Sequence, residues 1–193
     1  RPWRERAPSF KRGLSPSKPP SLTENFPHVP ATLKKLGDWA FAGCTGLRTG
    51  TIPASVEHLG KNVYMRCTGM SVAAIRCQLT EMPDGMFDHC TSLKKITMAD
   101  SIKNNIRKIG VGTFYDCPQL TTFAFGDSVA KIDACGFMGC TGLGKVTLPE
   151  SVKHIGHDAF SACQKMSEIN IPANVDSIGD HAFKDAHALK QIT

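Results

Sequence analysis

The residues of this sequence best suited to chemistry lie in one stretch, SVKHIGHDAFSAC, which begins at Ser151. It contains His154, His157, Asp158 and Cys163 within thirteen residues. Imidazole, carboxylate and thiol groups are the ligands of transition metals and the partners of an activated nucleophile. Whether these groups act together depends on the elements that position them, and the surrounding sequence indicates what those elements are.

The same stretch recurs along the chain with a period of 23 residues. NVDSIGDHAFKDA begins 23 residues later, at Asn174, and SVAKIDACGFMGC begins 23 residues earlier, at Ser128. Repeats of this length predict a solenoid, in which each coil buries its core against its neighbours. The seven copies share three columns: Phe41, Tyr64, Phe87, Phe114, Phe137, Phe160 and Phe183; Cys44, Cys67, Cys90, Cys117, Cys140, Cys163 and then Ala186; and Leu47, Met70, Leu93, Leu120, Leu143, Met166 and Leu189.

Each copy has two apolar stretches. The first, Leu-x-x-Ile-x-Ile, alternates and is rich in β-branched residues, so it predicts a short strand. The second, Val-x-x-Ile-Gly, leads into a turn that carries Ala-Phe-x-x-Cys. Because glycine tolerates positive φ, we expect a left-handed bend at the glycine of the second stretch. These glycines are Gly37, Gly60, Gly110, Gly156 and Gly179.

The stretch LPESVKHIGHDAFSACQKMSEINIP resembles the BspA-type leucine-rich repeat, and the resemblance extends over about residues 27–193. It implies a mainly β fold, a right-handed leucine-rich-repeat solenoid of about seven coils with a parallel sheet on one face and short helical turns. It also implies recognition of proteins rather than catalysis. The family includes bacterial surface proteins and large sets in protists.

The columns argue against a shared chemical role for the histidines. His154, His157 and His181 could lie in one patch, but the equivalent positions of other coils hold lysine or serine. We interpret them as solvent-exposed turn residues, with a surface metal site as the alternative. Asp158 lies in a column that varies from coil to coil. No nucleophile elbow, P-loop or dinucleotide-binding glycine motif occurs, so we expect no catalytic residue, no bound metal, no cofactor and no small-molecule substrate.

The cysteines form a second candidate cluster. Six of the eight occupy one column beside a core aromatic, which predicts a ladder of free, buried thiols. In-register stacking points their Cβ atoms the same way, which disfavours disulfides between coils. The other two, Cys77 and Cys135, have no C-x-x-C partner, and we do not expect a zinc site from them.

The outward positions of the first strand form the predicted docking surface for other protein subunits. This surface is flat, rich in threonine and lightly charged. Threonine pairing that merely stabilises the sheet is the alternative explanation. The predicted contact residues are Thr49, Thr51, Val72, Lys95, Thr97, Thr122, Lys145, Thr147, Glu168 and Asn170.

One repeat is four residues longer than the others, with the extra residues between Ala99 and Asn105. Insertions in solenoids form loops outside the stack, so we expect a basic surface bulge here. A contact with a partner is the alternative. The residues concerned are Lys103, Asn104, Asn105 and Arg107.

Residues 1–26 are predicted to form a separate, extended arm, because they are rich in proline and charge. Six basic residues and one acid in residues 1–20 supply +5 of the net charge of +6, so the body itself does not predict nucleic-acid binding. The arm would lie along a partner or an anionic membrane surface. A transit-segment remnant and a disordered leader are the alternatives. The arm residues predicted to make contact are Arg1, Trp3, Arg4, Arg6, Phe10, Lys11 and Arg12.

These features predict a non-catalytic interaction or scaffold subunit, docked into a larger assembly by its solenoid face and its arm. An organellar complex, such as a photosynthetic or ribosomal one, would place it inside an organelle or in a membrane-associated complex. The alternative hypothesis is a secreted or cell-surface adhesion or recognition module. Free thiols favour the first hypothesis, and oxidised cysteines with a signal peptide in the full gene favour the second.

Overall fold

The computed structural model describes residues 29–192, which stack as a solenoid of about seven coils. Most of each coil is extended strand or hydrogen-bonded turn, and no helix among these residues is long and apolar enough to cross a membrane. In chain order the elements are β1 Lys35–Leu36, β2 Thr49–Ile52, β3 His58–Leu59, β4 Val72–Ile75, β5 Glu81–Met82, β6 Lys95–Thr97, α1 Asp100–Lys103, β7 Lys108–Ile109, β8 Lys131–Ile132, β9 Lys145–Val146, β10 His154–Ile155, β11 Glu168–Ile169, β12 Ser177–Ile178 and β13 Gln191–Ile192.

The strands lie on two faces, and every pairing is parallel. Face A holds the strands of the first apolar stretch, ordered β2-β4-β6 and β13-β11-β9. Face B holds the strands of the second stretch, ordered β1-β3 and β12-β10-β8-β7-β5. The expected sheet on one face is therefore only part of the fold, because Val-x-x-Ile-Gly is also extended and stacks in register. His154, for example, pairs with Lys131 before it and Ser177 after it.

The core is one continuous cluster between the two faces. Its axis is the predicted aromatic column, in which neighbouring ring centroids lie 5.0–5.9 Å apart along all seven coils. The five inner rings are fully buried, whereas Phe41 and Phe183 in the terminal coils are only partly buried. Each inner ring therefore packs between two others, which is the geometry expected of coils that cannot form a core alone.

The cysteine column has a second role besides packing. All eight cysteines are free, and five of the six column thiols are buried as predicted. In five successive coils the Sγ atom donates a hydrogen bond, 3.0–3.2 Å long, to the carbonyl oxygen of the aromatic residue in the coil before. The thiol is thus both an apolar filler and a donor that links two coils. Cys44, in the first described coil, is exposed.

The prediction of positive φ at the column glycines is wrong. The first left-handed residue of each coil lies two positions later, for example at Asp158 (φ 54°) and His181 (φ 60°). The glycines are needed because the coils approach closely at these positions. A Cβ atom on Gly156 would lie 2.6 Å from the Ala134 nitrogen, and one on Gly179 would lie 2.5 Å from the His157 nitrogen.

Gly156→Ala should therefore lower the free energy of unfolding by about 1–3 kcal/mol, because the new methyl group would collide with backbone that cannot move independently. Gly37→Ala is the matched control, since it lies in the same column of the first described coil and a Cβ atom there meets nothing within 4 Å. Urea unfolding followed by circular dichroism measures both changes. Equal costs for the two variants would show that close approach is not the reason for the glycines.

The insertion is packed against the core, which corrects the prediction of a basic surface bulge. Its residues form α1, a single turn whose Ile102 is buried against the core. The Asn105 amide donates to the Leu79 carbonyl at 2.9 Å. Gly126 lies so close that a Cβ atom would be 2.0 Å from the Lys103 carbonyl oxygen. An apolar residue inside the insertion thus turns the extra segment back onto the stack.

Face A is interrupted beside this insertion. Residues 122–125, which should supply its fourth strand, form no strand pairing. Phe123 and Phe125 occupy the two inward positions of this segment, and the Phe123 ring lies 5.1–5.3 Å from the rings of Phe114 and Phe137. The next coil has the smaller Val146 and Leu148 at these positions. We attribute the break to the bulk of this aromatic pair together with the longer coil.

Candidate functional site

The outward side chains of face A form the surface that the repeat pattern predicted. In β2 and β4 the outward residues are half-buried and alternate with buried inward ones. Lys95, Thr122, Lys145 and Thr147 are exposed. The structure therefore places the ten predicted contact residues on one surface, and binding of a partner there remains a prediction.

Several of these residues are engaged within the sheet. The Lys145 ammonium lies 2.8 Å from the Glu168 carboxylate on the neighbouring strand. Asn170 accepts a hydrogen bond from the Leu148 N–H at 2.6 Å and donates one to its carbonyl at 3.0 Å, so its side chain continues the ladder past the end of the strands. These contacts favour a stabilising role for this part of face A and leave Lys95, Thr122 and Thr147 as its freest positions.

A basic cleft lies where face A is interrupted. It has a volume of about 330 Å³, and its walls include Lys94, Lys95, Lys103 and Thr122. Lys103 pairs with Asp100 of α1 at 2.9 Å, but within residues 29–192 neither Lys94 nor Lys95 lies in an ion pair. Sequence reasoning missed this cleft because it assumed an unbroken sheet. The two phenylalanines of the long repeat were the available indication.

Three charged strand residues of face B are paired. Lys108 lies 2.8 Å from Glu81, and Lys131 lies 2.7 Å from Asp133. Outside the strands, Lys61 lies 2.8 Å from Asp84 of the next coil. Such exposed pairs add little stability, but they neutralise the charge of face B locally.

The other predicted contact residues are less accessible or lie elsewhere. Of the insertion residues, Asn104 and Arg107 are exposed, whereas Lys103 and Asn105 are half-buried and engaged as described above. The arm residues Arg1, Trp3, Arg4, Arg6, Phe10, Lys11 and Arg12 lie outside the described residues.

The histidine patch is assembled differently from the sequence expectation. The ligand atoms of His157, Asp158 and His181 all lie within 4.8 Å of one another. His154 is not part of this group, and its Nδ1 atom lies 2.9 Å from the Ser177 hydroxyl on face B. Asp158, which the sequence analysis discounted because its column varies, is therefore the residue that groups with the two imidazoles.

The two cysteines outside the column, Cys77 and Cys135, belong to no cluster of potential metal ligands among the described residues. Cys77 is buried, and burial raises the pKa of its thiol. Cys135 is half-buried, and its pKa is raised by burial and then by the neighbouring Asp158 carboxylate. A raised pKa keeps a thiol protonated and poorly reactive at neutral pH.

Stacked parallel strands with an inner leucine, aromatic and cysteine core define a leucine-rich-repeat solenoid, a class that is generally non-catalytic and typically binds proteins. The family model described as BspA type leucine rich repeat region matches six copies, over residues 23–135 and 107–193. The chain belongs to the BspA-type leucine-rich repeat family.

Solved structures of bacterial proteins share the fold. A leucine-rich repeat protein from Bacteroides ovatus is 33% identical, with a TM-score of 0.74 over 86% of this chain and 41% of that one. A leucine-rich repeat protein from T. pallidum is 25% identical, with a TM-score of 0.67 over 88% of this chain and 76% of that one. A leucine-rich cell surface protein from Faecalibacterium prausnitzii is 26% identical, with a TM-score of 0.58 over 84% and 52%.

This chain thus spans about two fifths of the Bacteroides protein and half of the Faecalibacterium protein. Among curated proteins, no sequence matches it.

Proposed function

We propose that this chain is the recognition region of a secreted or cell-surface protein and that it binds another protein through face A. The observation that carries the proposal is the unpaired charge of face A at its interruption. Within residues 29–192, Lys95 lies in no ion pair and lines the basic cleft together with the exposed Thr122, whereas Glu81, Lys108 and Lys131 of face B are all paired. Unpaired donors on a flat surface suit a polar partner with local negative charge.

The location rests on the relatives. One of the structurally similar proteins is named as a cell surface protein, and the others compared are also bacterial leucine-rich repeat proteins. These similarities favour the cell-surface hypothesis over an organellar assembly. The organellar hypothesis depended on residues 1–26, of which the structure describes none.

The free thiols do not argue against an extracellular site, although the sequence suggested that they would. Five column thiols are fully buried, and burial raises the pKa of Cys67 to about 11 and that of Cys163 to about 12. Since the thiolate is the form that is oxidised, a buried thiol with a raised pKa is protected even in an oxidising medium. The thiol ladder is compatible with either compartment.

The proposal predicts that a face A variant, Lys95→Glu with Thr122→Glu, loses its partner. The matched control, Lys35→Glu with Ser177→Glu, makes the same change in charge on face B. Each purified protein is used as bait for cross-linking and quantitative mass spectrometry, and the recovered partner is then titrated by biolayer interferometry. We expect the face A variant to bind at least about tenfold more weakly, a loss of about 1.4 kcal/mol, and the control to bind as the unmodified chain does.

Equal loss in both variants would contradict docking through face A. The location is tested separately, by labelling intact cells that express the protein with a membrane-impermeant reagent. Recovery of labelled protein is expected, and protein found only after lysis would contradict the cell-surface proposal.

A further inference from the structure

We propose that His157, Asp158 and His181 form a binding site for a divalent transition-metal ion of the Zn²⁺ class. Their ligand atoms lie within 4.8 Å of one another, and His157 Nε2 is already 2.7 Å from an Asp158 carboxylate oxygen. Metal–ligand bonds of about 2.0–2.2 Å place neighbouring ligand atoms about 3–3.5 Å apart. Rotations of the exposed His157 and His181 side chains toward the half-buried Asp158 carboxylate would bring the three groups to that separation.

The backbone, not a loose loop, brings the groups together. Asp158 and His181 occupy the same left-handed position of successive coils, with φ of 54° and 60°. The Asp158 N–H donates to the Asp180 carbonyl at 3.0 Å, which ties the two turns at this point. The register of β10 and β12 fixes the same spacing on the adjoining face B. Both side chains therefore project from one ridge, and His157 directly precedes Asp158.

The charges around Asp158 favour a cation. Within the described residues no lysine or arginine lies within ion-pair distance of its carboxylate, whose ion-pair partner is the His157 imidazole. Asp133 of the preceding coil, in contrast, has Lys131 at 2.7 Å and Lys108 at 3.9 Å. The His157 and His181 rings are neighbours, with centroids 5.6 Å apart and planes tilted by 57°. Solvated turn histidines, the interpretation favoured by the sequence, do not require this convergence around one carboxylate.

The donor set indicates the kind of ion. Two imidazole nitrogens and one carboxylate oxygen suit Zn²⁺, Co²⁺, Ni²⁺ or Cu²⁺, whereas Ca²⁺ and Mg²⁺ prefer oxygen ligands alone. Three protein ligands leave a coordination position for water or for a side chain of a bound protein. Cys135 holds the same position in the preceding coil, and its thiol is not among the three groups that meet.

The test is a titration of the reduced, full chain with Zn²⁺ by isothermal calorimetry, followed by Co²⁺ binding monitored by visible absorption. We expect one saturable site whose Co²⁺ spectrum lacks the charge-transfer band of a thiolate ligand. His157→Ala and His181→Asn should each weaken Zn²⁺ binding at least about tenfold, in line with the loss caused by disturbing a metal's ligand environment. Asparagine is used at position 181 because it tolerates the left-handed backbone.

His154→Ala is the matched control, since His154 is exposed and lies three residues from His157 but outside the cluster. It should bind Zn²⁺ as the unmodified chain does. The proposal is overturned if Zn²⁺ shows no saturable binding, if His181→Asn binds unchanged, or if a thiolate band shows that cysteine holds the metal. Circular dichroism of each variant verifies that the comparison is made between folded proteins.

Discussion

Raising the pH from 9 to 11 should unfold the solenoid. The five column thiols are fully buried, and burial raises the pKa of each above the ordinary value of 9.0: to about 11 for Cys67 and about 12 for Cys163, and well above it for Cys117 and Cys140. The folded chain therefore keeps these protons in a range of pH where the unfolded chain releases them.

The direction and size of the effect follow from proton linkage. A raised folded-state pKa gives stability that is fully present below the unfolded pKa and is lost as the pH rises toward the folded value. Each thiol contributes a loss of about 1.4 kcal/mol per pH unit in that window. Five thiols acting together can remove about 7 kcal/mol per pH unit, which is comparable to the whole stability of a typical domain, about 5–15 kcal/mol.

Urea unfolding at pH 8, 9 and 10 under reducing conditions measures this loss. Cys140→Ala removes one buried thiol. The stability that this variant loses per pH unit should therefore be smaller than that of the unmodified chain by about 1.4 kcal/mol. Cys44→Ala removes an exposed column cysteine and is the matched control. A stability that stays flat from pH 8 to 10 would refute the prediction, as would equal changes of slope in the two variants.

Phe160→Ala should lower the free energy of unfolding by about 3–5 kcal/mol, the range observed when buried aromatics are truncated. The Phe160 ring is fully buried and lies between Phe137 at 5.3 Å and Phe183 at 5.9 Å. Its removal leaves a cavity between two coils, and neither coil can collapse into it because both faces hold the spacing. The substitution thus weakens two coil interfaces at once.

Phe183→Ala provides the comparison, because that ring is only partly buried and, within the described coils, stacks on one ring alone. Equilibrium unfolding in urea should give it a clearly smaller cost. A cost below about 1 kcal/mol for Phe160→Ala would contradict a core built on the aromatic column.

The sequence predicted what the coils share. The aromatic, cysteine and leucine columns identified the core, and the alternation in Leu-x-x-Ile-x-Ile identified the outward residues of face A. It did not predict the role of the glycines, because a column of glycine fits both positive φ and close approach. Only the distance from Gly156 to the Ala134 backbone distinguishes these explanations.

The candidate sites were harder to predict because they arise where the coils differ. Phe123 and Phe125 interrupt a sheet that the repeat alone would continue, and they leave the basic cleft beside Lys95. Asp158 was discounted because its column varies. Asp158 and His181 hold the same left-handed turn position in successive coils. The repeat pattern does not specify the direction in which side chains at such turns point, so it could not predict that the two meet.

The interruption of face A also affects how the solenoid can bend at the fourth coil. At the fourth coil, face B is continuous through β5, β7 and β8, so opening that side would break backbone hydrogen bonds. Face A has no strand ladder to break at residues 122–125. At this coil we therefore expect the solenoid to open more easily on face A, the side proposed to contact a partner, than on face B. Curvature there can adjust to the shape of the bound surface while the opposite side keeps its length.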